Sequence, residues 1–138
     1  MNKENVFVAI VFQGKFIVIE RHDDKIGFPG GKIDEGETPN EAIIREVNEE
    51  LNFEIKDLSR LYHIDNKQLD SKTVFFLYSA NENEIKEIFE NFSKAEHFLY
   101  EIFGVALKSL VSVENCPSPK EFKNEINVLK IIQEQSRS

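Results

Sequence analysis

The sequence contains no tryptophan, one methionine and one cysteine in 138 residues. A single Cys116 excludes an internal disulfide and any cluster of thiolate ligands, and its position before Pro117 assigns it to a loop. Histidine is scarce too: His22, His63 and His97 fall at no metal-ligand spacing, and no Ser-His-Asp arrangement accompanies them. No apolar run approaches the ~20 residues that a membrane-spanning helix needs, and the first residues lack the pattern of a secretory leader. A cytoplasmic protein with no membrane partner is therefore expected. Positive charge is in deficit, since 17 Lys and Arg against 25 Asp and Glu leave a formal net charge of −8. Such a surface does not attract long nucleic acid through counterion release, and a small anionic ligand has to be drawn in locally. Repeats, low-complexity segments and linkers are lacking as well. What remains is one domain over residues 1–138, large enough for a core without covalent staples.

What the chain does have is apolar material at regular spacing: 41% hydrophobic residues, with 12 Phe. Val6 to Phe12 and Lys15 to Glu20 read as two strands joined by a turn at Gln13-Gly14. Arg21 to Lys25 is a polar loop that leads into Ile26-Gly27-Phe28-Pro29-Gly30-Gly31-Lys32. Phe53 to Ile64 reads as a loosely patterned strand region, and Lys72 to Ala80, aromatic and β-branched, as a firm strand. Asn81 to Phe92 places Ile85, Ile88, Phe89 and Phe92 at helical spacing. Leu99 to Leu107 reads as a last strand. Ser118-Pro119-Lys120-Glu121 opens a helix that carries Phe122, Ile126, Leu129, Ile131 and Ile132 to about Gln135. Strands and helices interleaved in this way give an α/β protein, a sheet covered on both faces.

The chain is organised around Gly30 to Phe53. Paired glycines let the backbone come close to a ligand or metal, because no Cβ intervenes. Thr38-Pro39-Asn40-Glu41 is a helix start, with Thr38 as cap, Pro39 at the first helical position and Glu41 able to close a capping box. At 100° per residue Ile43, Ile44, Val47 and Leu51 share one stripe, while Glu46, Glu49 and Glu50 share another beside Ala42. Glu41, Arg45 and Asn48 form the third, solvent-facing side. Three carboxylates at i, i+3 and i+4 repel one another, and Arg45 offsets one of them through Glu49. Hard oxygen ligands clustered on a rigid face suit Mg²⁺, or Mn²⁺, bridging phosphates. Asn52 ends the helix as one of the few non-glycine residues that tolerate a left-handed conformation.

From Gly31 to Phe53 the spacing resembles the Nudix box, Gly-x5-Glu-x7-Arg-Glu-(apolar)-x-Glu-Glu-x-Gly-(apolar), with Asn52 in place of the last glycine. Phe28 to Ile33 and Gly36 to Pro39 are also similar to MutT-type nucleoside triphosphate pyrophosphohydrolases. The resemblance implies a Nudix-like α/β/α sandwich with a mixed sheet, and a Mg²⁺-dependent enzyme that cleaves a phosphoanhydride of a small nucleotide. Glu46, Glu49, Glu50 and the Gly31 carbonyl would hold the metal. Glu49 or Glu50 would act as base, Arg45 would orient Glu49 and Glu37, and Glu37 would act in the chemistry or against the helix dipole. An acid from outside the box is expected at Glu101, with Glu96 as the alternative. Arg21, Gly30 and Lys32 are expected near the substrate phosphates and Asn124 near a base, while Phe28 or Tyr78 could stack on it. A triphosphate substrate competes with nucleoside-diphosphate sugars, dinucleoside polyphosphates, a capped or triphosphorylated RNA 5′ end, and binding without turnover. Between Ala80 and Glu101 the chain is longer than the MutT-type group.

Overall fold

The computed structural model describes residues 3–21, 26–65, 69–94, 102–109 and 128–131. The expected hairpin is present as β1 (Asn5–Phe12) and β2 (Lys15–Arg21), paired antiparallel at Val11 with Phe16 and at Phe12 with Lys15. Its turn has φ of 49° at Gln13 and 75° at Gly14. Two positive φ values in a row match the right-handed twist of the flanking strands. The strand expected at Lys72 to Ala80 is β6 (Thr73–Ser79 in the chain), which runs parallel to β1 from Asn5 opposite Thr73 to Val11 opposite Ser79. β5 (Leu61–Ile64), at the edge among the described residues, pairs antiparallel with β6, and β7 (Ile102–Ser109) runs antiparallel along β2. The sheet is therefore mixed.

Two short strands complete it. β3 (Ile26–Gly27) pairs with β2, and β4 (Gly30–Lys32) pairs with β1. A strand has only two edges. Because β7 occupies one edge of β2 and β6 one edge of β1, β1 and β2 part beyond their hairpin, and the β3–β4 excursion fills the wedge between them. The glycine pair is thus built into the sheet.

Side-chain alternation sorts the core into two layers. Val6, Val8 and Ile10 of β1, Ile17 and Ile19 of β2, and Val74, Phe76 and Tyr78 of β6 face one cluster. That cluster also takes Ala42, Ile43, Val47 and Leu51 of α1 (Pro39–Leu51) and Ile85 and Ile88 of α2 (Glu82–Lys94). Ala9, Phe16, Val18 and Phe75 point the other way, towards Val128, Leu129 and Ile131 of the helical residues 128–131. Each aliphatic side chain so buried contributes roughly 1.5–3 kcal/mol. The α/β/α sandwich is present.

One expectation is corrected. Of Phe53 to Ile64, only Leu61–Ile64 is a strand; Leu58–Arg60 is a 3₁₀ turn capped by the Asp57 carboxylate, which accepts from the Ser59 N–H at 3.1 Å. The alternation that suggested a strand is real, with Phe53 and Ile55 buried and Glu54 and Lys56 exposed. It serves packing beside α1 rather than a hydrogen-bonded ladder. Leu99 to Glu101 and most of the expected C-terminal helix lie outside the described residues.

Candidate active site

The box helix forms as its sequence dictates. Thr38 Oγ1 accepts from the Glu41 N–H at 3.1 Å, the Glu41 carboxylate accepts from the Thr38 N–H at 3.0 Å, and Pro39 opens the first turn. Asn52 closes it in the left-handed region, φ 51° and ψ 40°.

The wedge of the sheet brings Gly30 and Gly31 against this helix. A Cβ on Gly30, where φ is 153°, would stand 2.1 Å from the Val6 carbonyl oxygen, so no other residue fits there without moving β1. A Cβ on Gly31 would stand 2.8 Å from the Glu46 carboxylate. The missing side chain is thus the space that Glu46 fills. Glu50 is 8% exposed, and its Oε1 accepts from the Gly30 N–H at 2.7 Å. The shared acidic stripe is therefore divided: Glu50 turns inward on the glycine strand, Glu46 lies beside it, and Glu49 stays half exposed.

Arg45 collects the rest. Its Nε and Nη2 donate to both oxygens of Glu37 at 2.7 and 3.0 Å, a fork-on-fork pair. Nη1 donates to Glu46 at 3.0 Å and to Glu49 at 3.3 Å, and Nη2 also reaches the Lys32 carbonyl at 3.0 Å. Asp34 lies 3.3 Å from Nε. Arg45 was expected on the solvent-facing side; its backbone is there, but the long side chain folds over the helix and is only 26% exposed. Glu37 also accepts from the Asp34 N–H at 2.9 Å. The Arg45 bond, more than any other influence, holds the Glu37 carboxyl below the usual carboxylate range. Glu46 moves the opposite way: burial pushes it up, and the bond to Arg45 only partly offsets this. Arg45 is locked in its charged form by Glu37.

Among the described residues no three acids converge closely enough to hold a metal ion with the side chains as they stand. Glu46 and Glu49 are turned onto Arg45, and Glu50 onto Gly30. The donor set fits a hard divalent cation all the same, being carboxylates packed directly against the backbone of a glycine strand.

The expected residues Gly30, Gly31, Glu37, Arg45, Glu46, Glu49 and Glu50 come together here. Phe28 does not belong with them. It is 1% exposed and packs edge-on against Phe16, with ring centroids 5.9 Å apart, so it is core and offers no face to a base. Tyr78 is equally buried, with its hydroxyl donating to Glu84. Both rings belong to the core, so neither is available to a base. The Lys32 side chain is exposed, and Arg21 ends β2 opposite Ile102. Glu96, Glu101 and Asn124 lie outside the described residues. Asp34 and the Gly30 N–H were missed, because neither sits on a periodic face. A cleft of about 520 Å³ lies elsewhere, between the end of α1 and the start of α2, and is lined by none of the clustered acids.

The NUDIX domain model matches residues 1–114. The chain belongs to the Nudix family. Its curated relatives include an 8-oxo-dGTP diphosphatase of Haemophilus influenzae, 41% identical over 56 residues, or 40% of this chain and 40% of that protein. Another is an 8-oxo-dGTP diphosphatase of Proteus vulgaris, 34% identical over 62 residues, 44% of this chain and 55% of that one. The chain thus spans about half or less of the length of the curated relatives it matches. A MutT Nudix hydrolase from Burkholderia pseudomallei superposes with a TM-score of 0.61 at 20% identity, covering 96% of this chain and 98% of that one. An ADP-ribose pyrophosphatase from Streptococcus suis gives 0.60 at 20% identity, covering 100% and 94%. These two likenesses establish the Nudix fold. No helix among the described residues is long and apolar enough to cross a membrane.

Proposed function

We propose that this chain is a divalent-cation-dependent pyrophosphohydrolase acting on the phosphoanhydride of a small nucleotide in the cytoplasm, as a single Nudix domain over residues 1–138. A MutT-like nucleoside triphosphate is the favoured substrate, in keeping with the 8-oxo-dGTP diphosphatases it is similar to. One observation carries this reading: a half-buried carboxylate, Glu46, fills the space left by Gly31 while Arg45 holds it and Glu49 together. Four acids crowded around one arginine leave negative charge unbalanced, which a Mg²⁺ or Mn²⁺ ion would offset.

Glu46, Glu49, Glu50 and the Gly31 carbonyl, with Glu101, are the groups that would hold the ion. When bound, it supplies charge neutralisation on phosphate oxygens and a water of lowered pKa. Arg45, itself clamped by Glu37, keeps Glu46 and Glu49 oriented. Glu49 or Glu50 is assigned as the base that takes the proton from the attacking water. Lys32 and Arg21 are assigned to phosphate and Asn124 to the base.

The test is product analysis on a panel of nucleoside triphosphates, oxidised guanine nucleotides, nucleoside-diphosphate sugars, dinucleoside polyphosphates and capped RNA, in Mg²⁺ and then in EDTA. A nucleoside monophosphate is expected from the triphosphates in Mg²⁺ and nothing in EDTA. Thermal stabilisation by nucleotide without hydrolysis of any member would instead identify a binding module.

A further inference from the structure

The weakest part of the box helix is its C-terminal end. That end carries Glu49 and Glu50, has no basic residue in its last turn, and leaves the helix through Asn52 in the left-handed conformation. Two carboxylates at the negative end of the dipole, beside a cap that is not glycine, need support from outside the helix. Support comes from α2, 39 residues further along: the Asn91 side-chain amide donates to the Asn52 carbonyl at 2.7 Å. α2 is itself firmly seated. Asn81 and Glu84 form a reciprocal pair at its start, with the Glu84 N–H donating to Asn81 Oδ1 at 2.9 Å and the Asn81 N–H to Glu84 at 3.0 Å. Arg60 and the Tyr78 hydroxyl then bond Glu84, and Ile85 and Ile88 are buried.

We propose that Asn91 is a positioning residue for the box carboxylates. Its amide fixes the left-handed exit of α1, and with it the last turn from which Glu50 reaches the Gly30 N–H and Glu49 reaches Arg45. In its kinetic arm the inference rests on the hydrolase reading above.

Amide hydrogen exchange and steady-state kinetics on Asn91→Ala, Asn91→Asp and Asn81→Ala test it. In Asn91→Ala the Gly30 amide is expected to exchange about fivefold faster, while the Val8 amide, bonded to the Pro29 carbonyl, is unchanged. Turnover falls by about threefold with nucleotide KM unchanged, the size expected for one lost hydrogen bond. Asn91→Asp sets a carboxylate against the Asn52 carbonyl and enlarges both effects. Asn81→Ala lowers the melting temperature through the lost cap, but Arg60 and Tyr78 still hold Glu84 and Ile85 and Ile88 stay buried, so α2 keeps its place and Gly30 exchange and turnover stay as they were. Unchanged Gly30 exchange or unchanged turnover in Asn91→Ala overturns the inference, as do equal effects in Asn81→Ala. Should the wild-type protein hydrolyse nothing, the hydrolase reading fails, and Gly30 exchange still decides whether Asn91 sets the carboxylates.

Discussion

Two arginines each gather several carboxylates, and one enclosed acid in each cluster ends in the opposite electrostatic state from the other. Arg60 bonds Asp57 at 2.9 Å, the Ser79 carbonyl at 3.2 Å and both oxygens of Glu84, and its guanidinium lies 5.2 Å above the Tyr78 ring. Burial alone would raise the Glu84 carboxyl, but Arg60, the Tyr78 hydroxyl and the Asn81 N–H outweigh it and leave it lowered. Arg45 spreads the same number of donors over Glu37, Glu46, Glu49 and a carbonyl. Glu46, as enclosed as Glu84, receives one bond at 3.0 Å from that arginine and stays raised. The lesson lies in donors per half-buried carboxylate. Where they suffice, the acid is part of the scaffold; where they fall short, it is ready for a cation or a proton.

The comparison can be broken most forcefully at Glu50. Glu50→Gln keeps an oxygen able to accept from the Gly30 N–H, so the fold should stand while turnover falls by a factor of about 10² or more, the scale of a lost transition-state contact. Near-normal turnover with an unaltered melting curve would remove Glu50 from the chemistry. Gly30→Ala comes next. Its Cβ would meet the Val6 carbonyl at 2.1 Å, and denaturant titration should show a loss of about 2 kcal/mol from overpacking. The finest discrimination pairs Glu84→Gln with Glu46→Gln in EDTA at pH 7. The first should destabilise by about 1–2 kcal/mol, since charged donors lose their partner. The second should be neutral or stabilise by up to about 1 kcal/mol, as relief of a strained site commonly does. Their pH dependences have opposite signs. Glu84 is lowered on folding, so its contribution is present above its unfolded value of 4.5 and disappears as pH falls through the folded one. Glu46 is raised, so stability drops as pH climbs from 4.5 through the folded value. Equal slopes for the two variants would erase the distinction.

Local chemistry was legible in the sequence wherever one turn of chain decides the outcome. Thr38, Pro39 and Glu41 announce a helix start that the structure reproduces bond for bond, and Asn52 signals its left-handed exit. The apolar runs in β1, β2 and β6 foretold a sheet buried on both faces. Contacts set by three-dimensional meeting were not legible. Periodicity places the Arg45 backbone towards solvent but says nothing of a side chain that folds back to a loop eight residues earlier. Phe28 follows a polar loop and precedes the glycines, so its burial depends on Phe16 from another strand. Phe53 and Ile55 alternate as a strand would, yet a ladder needs a partner that no local pattern reports.

The parallel pairing of β1 with β6 joins residues such as Val6 and Val74, far apart in the chain. Everything that makes up the acidic cluster, from Gly30 to Glu50, lies inside the loop which that pairing closes. Closing so long a loop is entropically costly and slow, whereas the β1–β2 hairpin forms quickly on its own. The glycine strand needs only β1 as its partner, whereas the helix that carries the acids shares its core with Val74, Phe76 and Tyr78 and so gains that packing only once the long loop is closed.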